Sequence, residues 1–471
     1  MCFSLTIGIS QKSYANDVAL PSIGGNSAGL ISPTAEYQLG RKALRQYRAY
    51  LPQSNDPYFE QYLDQLLDKL LVHSGLPEYP LSLLVIDDSS LNAFAAPGGI
   101  VGVNTGTFLV AKSEQQLVSI LAHELAHLSQ RHYARRVAYE KSQAPINLAA
   151  LLGSILVLAA GDTDAGIAGI TVAQARATSN SLAFSRDMER EADRVGLDIL
   201  VSSGFNPRAM PEMFEELLKA SRYRAKVPDF LVTHPVTESR VSDAKNRTQD
   251  YPVRYYPEDE EFQILRARAI LHHESNAQFA VKRFTNELNG ITLSPMAARY
   301  GLVRALIDSN RPEDALREYE PLADKYSHLL AVRIALADIY AAQNRLDLGL
   351  EILKRELDLT PNNHILNVRY AEVLMQASRY ELGESVLSAH TKRQPENAYV
   401  WYLLAETHGL AGHILEVHKA RAEYYILLGI YEKAEIQLRN AIKLAADDKY
   451  ERPRLEKRLA EVNKLDSEKL N

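Results

Sequence analysis

Cysteine is almost missing from this 471-residue chain. The single Cys2 lies at the very start, so no internal disulfide framework exists, and any metal ion must be held by histidine and carboxylate. Positive charge is also short. The net charge of −6 gives a general nucleic-acid role no electrostatic support. Basic residues are absent ahead of Lys12, so the apolar run Cys2–Ser10 lacks a basic flank. With small residues at Ser13 and Ala15, the first thirty residues read as the tail of a signal peptide whose start lies upstream, followed by a disordered N-terminus. No hydrophobic run reaches membrane length. Ser142–Gly161 is twenty residues without a charge, but its strongly apolar part, Leu148–Ala160, is only thirteen, and Ala165–Ala175 is shorter still. These segments are expected to be buried helices or a lid over a cleft, with no stable membrane span.

What is present centres on His123-Glu124-Leu125-Ala126-His127. On a helix, residues four apart lie about 40° from each other around the axis, so both imidazoles reach one metal ion. Glu124, about 100° round from His123, can touch a water beside that ion and act as general base. The helix is legible without the motif. Ser113 with Gln116 is a capping-box start, and Leu117, Leu121, Leu125 and Leu128 supply a core face. Glu140 is expected to lie on the continuation of this helix, which would carry it away from the metal.

Upstream, residues 34–74 carry helical periodicity, interrupted near Pro52–Pro57. Residues 81–87 read as a buried strand and 100–104 as a second, with a turn at Pro97-Gly98-Gly99. The stretch Gly98, Gly99, Ile100, Val101, Gly102 is expected to form a sheet edge that pairs with an extended substrate.

No carboxylate lies between Lys141 and Gly161, so a short-spaced third ligand is excluded. On the next charged helix, 186–200, Glu189 and Asp193 share a face at i, i+4, and Glu191 points nearly opposite. That pair suits one ligand and one carboxylate that orients a ligand histidine. Further on, His234 precedes Pro235 in an extended turn, with Arg240 six residues later. A histidine and an arginine are what an oxyanion needs; alternatively His234 fills a fourth metal position.

Past the acidic stretch 254–261 a period of 34 residues sets in. Ala337, Ala371 and Ala405 keep it, as do Asn276, Asn310 and Asn344, Gly349 and Gly383, and Pro361 and Pro395. That is the tetratricopeptide helix-turn-helix signature. The phase breaks after Gly412 and resumes with an offset of 51, a half-repeat irregularity, and the last stretch reads as a capping helix. Tyr399, Tyr402, Tyr424 and Tyr425 are expected to pack between repeats.

Together, His123-Glu124-x-x-His127, Glu189-x-x-x-Asp193, His234-Pro235 with Arg240, and Asn92-Ala93-Phe94-Ala95 resemble the zinc metallopeptidase family of HtpX and the type 1 CaaX prenyl protease. With the repeat tail and no clear span, the resemblance narrows to periplasmic, chaperone-like members that act in outer-membrane protein assembly. It implies one Zn(2+) per chain on His123, His127 and Glu189, and Glu124 as catalytic base. It also implies Asp193 orienting a ligand, Arg240 at the oxyanion, and His234 as regulatory fourth ligand or transition-state contact. The expected fold is mainly α. An α+β zincin-type metalloprotease domain with a small sheet (31–254) precedes an α-solenoid of tetratricopeptide repeats (262–471). The implied partners are outer-membrane protein clients and the outer-membrane assembly machinery, reached through the repeats. The alternatives are a repeat-based binding factor with a latent protease, and an inner-membrane quality-control protease.

Overall fold

The computed structural model describes residues 30–76, 80–143, 185–223 and 229–467. The expected lid over 144–175 lies outside the described residues. Helices α1 (Pro33–Tyr50) and α2 (Pro57–Leu71) open the chain, each started by Pro in its first turn and by a side-chain cap, Ser32 and Asp56. Strands β1 (Ser82–Ile86), β2 (Ala93–Ala96) and β3 (Ile100–Asn104) follow. A short helix α3 (Thr107–Val110) leads into α4 (Glu114–Ser129), the helix that carries the motif.

The sheet order is β1-β3-β2. This corrects the expected substrate edge at Gly98–Gly102. Ile100, Val101 and Gly102 belong to β3, which pairs parallel with β1 and antiparallel with β2, so its backbone groups are already taken on both sides. Gly98 and Gly99, at φ 79° and 77°, make the left-handed turn of the β2–β3 hairpin. Among the described residues the free edge is β2, since Gln53 bridges Ile86 on the outer side of β1. The run Asn92–Ala96 hid that strand because it contains three alanines, poor strand formers that here fit against α4.

The forward half of the capping box on α4 holds: Ser113 Oγ accepts from the Gln116 N–H at 3.3 Å, while Gln116 Oε1 accepts from the Lys112 N–H at 2.9 Å rather than from that of Ser113. Every residue from Gln116 to His127 is buried. The helix does not continue to Glu140. Arg131 takes a left-handed φ of 50°, and a separate helix α5 (His132–Gln143) begins. The core around α4 draws on α2, β1–β3, α6 (Arg186–Ser202), α7 (Ala209–Tyr223), α8 (Asp229–Thr233) and α9 (Glu238–Gln249).

Helix α10 (Glu260–His273) joins this core through Phe262, Leu265 and Ala269, with Phe262 stacked on Phe108 at 5.8 Å. From there antiparallel helices stack in order: α11 (Ala277–Asn289), α12 (Pro295–Asp308), α13 (Pro312–Tyr326), α14 (Leu330–Ala342), α15 (Leu346–Leu359), α16 (His364–Gln376), α17 (Tyr380–Arg393), α18 (Ala398–Ala411), α19 (Ile414–Leu427), α20 (Tyr431–Leu444) and α21 (Glu451–Ser467). The period has a physical marker. Asn310, Asn344, Ser378 and Gly412, each 34 apart, hold left-handed turns at φ 57°, 60°, 54° and 81°. The next such turn, Gly429, comes only 17 residues later, so the half-repeat irregularity is one extra helix between two tight turns. The stack folds back on the first helices: Asn397 donates to both Glu60 oxygens at 2.9 Å, and Arg268 pairs with Asp56 at 2.7 Å.

Candidate metal centre

Helices α4 and α6 cross closely, and one glycine permits it. A Cβ on Gly196 would stand 3.1 Å from the His123 Cα and 3.2 Å from the Ala122 oxygen. Glu189 and Asp193 lie two turns and one turn before Gly196 on the face that this approach presses onto α4. Ser185 caps α6 by accepting from the Met188 N–H. Helix α9 is capped by Thr237, which accepts from the Arg240 N–H at 3.3 Å and so fixes where that arginine enters. His234 ends α8 and stacks on Phe230, with ring centroids 4.8 Å apart.

Four ligand atoms converge. His123 Nε2 and His127 Nε2 are 3.1 Å apart, and His123 Nε2 and His234 Nδ1 3.4 Å. Glu189 Oε1 is 3.0 Å from His234 Nδ1 and 3.4 Å from His127 Nε2; its Oε2 is 3.6 Å from His123 Nε2. A tetrahedron with metal–ligand bonds of 2.0–2.1 Å has edges of about 3.3 Å. The spacings fit an ion of that kind, and the donor set of three imidazoles and one carboxylate suits zinc. All four residues are buried.

Their surroundings point the same way. His123 Nδ1 lies 3.1 Å from Asp193 Oδ1, at an angle short of a full hydrogen bond. His127 Nδ1 meets His132 Nδ1 at 3.0 Å, and His132 Nε2 meets Glu191 at 3.2 Å, which Arg135 also holds at 2.8 Å. Both motif histidines thus offer Nε2 inward while their Nδ1 atoms face Asp193 and His132 outside. Glu124 is fully buried. Neither of its oxygens has a hydrogen-bond partner among the described residues, although the Ala95 N–H of β2 bears on the carboxylate. Burial raises its pKa above the ordinary carboxylate value, partly countered by His234 and His123. The Glu189 carboxyl goes the opposite way: burial raises it, but the surrounding imidazoles outweigh that and hold it far below the ordinary value. His127 is pushed down, chiefly by burial. His123, equally buried, is lifted to about 9 because Asp193 and Glu189 together outweigh desolvation.

Arg240 is engaged otherwise than expected of an oxyanion contact. Its Nε and Nη2 donate to Asp193 at 2.8 and 2.7 Å, and its Nη1 donates to the Pro235 oxygen at 2.9 Å and reaches Glu189 Oε2 at 2.8 Å. The guanidinium stacks over Phe214 at 5.0 Å. In this geometry it holds two carboxylates rather than facing the cleft. The structure brings His123, Glu124, His127, Glu189, Asp193, His234 and Arg240 into one cluster and leaves Gly98–Gly102 in the sheet. Sequence reasoning missed His132, five residues past His127, and Gly196. The latter was detectable, since it shares the helical face of Glu189 and Asp193.

Residues 57–248 match the model of peptidase family M48. The chain is 30% identical over 465 residues to the beta-barrel assembly-enhancing protease of Escherichia coli K12, an alignment spanning 98% of this chain and 95% of that one. The beta-barrel assembly-enhancing protease of Yersinia pestis is 28% identical over 95% of this chain and 92% of its own. The mitochondrial metalloendopeptidase OMA1 of Schizosaccharomyces pombe is 32% identical over 180 residues, 38% of this chain and 50% of its own. The chain therefore belongs to the family of the beta-barrel assembly-enhancing proteases within peptidase family M48, and it is a metalloendopeptidase.

Proposed function

We propose that the chain is a periplasmic, zinc-dependent endopeptidase that degrades or assists misassembled outer-membrane proteins, with its repeats gripping those clients and the assembly machinery. The observation that carries the reading is the convergence of His123, His127, Glu189 and His234 beside the buried Glu124 carboxylate, whose Oε1 lies 3.6 Å from His234 Nε2. The relatives' names supply the client class; the cluster supplies the chemistry.

His123, His127 and Glu189 would hold one zinc ion, with His234 placed to reach it as a fourth contact. Zinc bound there supplies a Lewis acid, lowering the pKa of a water toward ~7 and polarising a peptide carbonyl. Glu124, with its raised pKa, takes the proton from the attacking water and returns it to the departing amine. An extended substrate pairs along the free edge of β2, which runs beside α4 and brings the Ala95 N–H next to Glu124. Arg240 is a positioning residue: it fixes Asp193 against His123 Nδ1 and Glu189 against the cluster. His234 closes the site at rest, so cleavage requires it to withdraw. That closure favours a second, compatible role as a binding and assembly factor.

The test uses full-length protein, metal quantification and cleavage of an unfolded outer-membrane β-barrel protein. Glu124→Gln is expected to keep its zinc and lose cleavage. His127→Ala with Glu189→Ala is expected to lose cleavage and one zinc per chain. Cleavage by Glu124→Gln, or full zinc content in the double variant, would overturn the assignment. Rescue of an assembly defect by Glu124→Gln would move the main role to binding.

A further inference from the structure

A second cluster of metal-binding side chains lies in the repeats, far along the chain from the first. Glu384 of α17, His408 of α18 and His413 at the start of α19 meet at one point. Both histidines approach the same carboxylate oxygen with the same ring atom. His408 Nδ1 is 2.6 Å and His413 Nδ1 2.7 Å from Glu384 Oε1. The three ligand atoms all lie within 4.8 Å of one another.

The backbone builds this meeting point. Gly412 takes φ 81°, and the His413 N–H donates to the His408 oxygen at 2.9 Å, closing a helix terminus that sets the two rings side by side. Earlier repeats use the same turn for another purpose. At the His413 phase they carry Arg311, Arg345 and Arg379; at the His408 phase, Leu306, Tyr340 and Leu374; at the Glu384 phase, Leu316 and Leu350. In the preceding repeat Leu350 and Leu374 share one apolar cluster. An apolar pair and a surface arginine have thus become carboxylate, imidazole and imidazole, all three at one locus. Glu384 is 13% and His408 11% exposed at the side chain, so two polar groups occupy a site where the repeat otherwise buries leucine. Such burial is unfavourable unless the groups are strongly paired.

We infer that Glu384, His408 and His413 form a second binding site, for a divalent transition-metal ion of the zinc, nickel or copper class. Two imidazoles and one carboxylate match that class and not magnesium or calcium. Each imidazole gives its Nδ1 lone pair, its proton moving to Nε2. The ligand atoms must spread from 2.6 and 2.7 Å toward about 3.3 Å. His413, 52% exposed at its side chain, can make that movement and leaves a face open to solvent. The ion would staple three successive helices where the 34-residue period gives way to the 17-residue step at Gly429, and so fix the direction of the last helices.

The experiment uses the full chain and zinc alone, with copper as a second probe. The variants are Glu384→Gln and His413→Arg, the latter restoring the residue of the earlier repeats. Trp401, the only tryptophan, sits on α18 with His408 and reports locally. Equilibrium dialysis is expected to find one more zinc per chain in the parent than in either variant. Copper is expected to quench Trp401 fluorescence in the parent and to require more than tenfold higher concentration in His413→Arg. Zinc is expected to raise the thermal midpoint read by Trp401 in the parent alone, while peptidase activity is unchanged by His413→Arg. Equal zinc content in parent and variants with native circular dichroism, or equal quenching, would reduce the cluster to a hydrogen-bonded cap and refute the site.

Discussion

Replacing Arg240 by Met separates two roles for that side chain. The guanidinium makes three contacts at 2.7–2.8 Å to the buried carboxylates of Asp193 and Glu189, and another at 2.9 Å to the Pro235 oxygen. Methionine keeps much of the stem but loses the guanidinium stacked on Phe214 and leaves the two carboxylates facing each other without that cation. Removing one partner from a buried ionic group is destabilising by ~3–5 kcal/mol. A dication held by Glu189 would restore positive charge beside one of these carboxylates. The metal-free protein should therefore lose most of that amount and the zinc-loaded protein distinctly less. Global melting is the wrong readout for a chain with two kinds of structural unit. Hydrogen exchange of α6 and α9, with and without chelator, reads the local opening free energy directly. A loss of 3 kcal/mol is roughly a 150-fold rise in the open population. An oxyanion contact predicts the reverse: near-parental exchange in both states, and a roughly 10²–10³-fold fall in kcat from loss of the donor. Unchanged exchange in the metal-free Arg240→Met protein would refute the positioning role.

Other perturbations test neighbouring features. Gly196→Ala forces a Cβ to within 3.1 Å of His123 Cα; overpacking of ~1–3 kcal/mol, less the ~1 kcal/mol helix gain of Ala over Gly, leaves a net loss up to ~2 kcal/mol. Zinc affinity should fall with it, and equilibrium dialysis showing parental affinity and stability would disprove the close crossing. His132→Phe removes the group on His127 Nδ1 and should weaken zinc binding ~10–100-fold while leaving the repeats folded; competition with a chelating dye measures this. Between β1 and α10, His272 meets Asp87 at 2.6 Å; that hydrogen bond, above all, raises the histidine and lowers the aspartate. The histidine term is fully present below about pH 6.5 and lost as pH rises through its raised value. The aspartate term is present above about pH 3.9 and lost as pH falls through its lowered value. Both groups are partly exposed, so the coupling is at most ~1 kcal/mol. A double-mutant cycle of Asp87→Ala and His272→Ala should find it at pH 5.5 and a smaller one at pH 9; a coupling that grows with pH would contradict the pairing.

The residues legible in the sequence are those whose spacing alone defines a face. His123 and His127, Glu189 and Asp193, and the 34-residue turns repeat at intervals that helix geometry converts into neighbours. What spacing does not carry is which segments cross. Glu191 was expected to point away from the metal helix, and it does leave the inner cluster, yet it reaches His132, because the chain reverses at Arg131 and brings α5 alongside α6. In the sequence β3 looks like an edge because of its glycine-rich turn. Edge or centre depends on a third strand, and that strand is three alanines and a phenylalanine, with little local preference for extended structure.

Arg240 shows the same limit at the level of chemistry. An arginine six residues beyond a histidine fits an oxyanion site in any linear reading. Only the approach of α6 and α9 reveals that two buried carboxylates compete for it, and at 2.7–2.8 Å they win. Those carboxylates in turn are tolerable in the core because of that arginine and the imidazoles around them. The arginine and the ligand helix therefore depend on each other, and each position makes sense only with the other in place. A sequence motif names the donors to the metal; the counter-charge that keeps those donors ionised and aimed comes from a separate helix, and only the packing of α6 against α9 brings it to them.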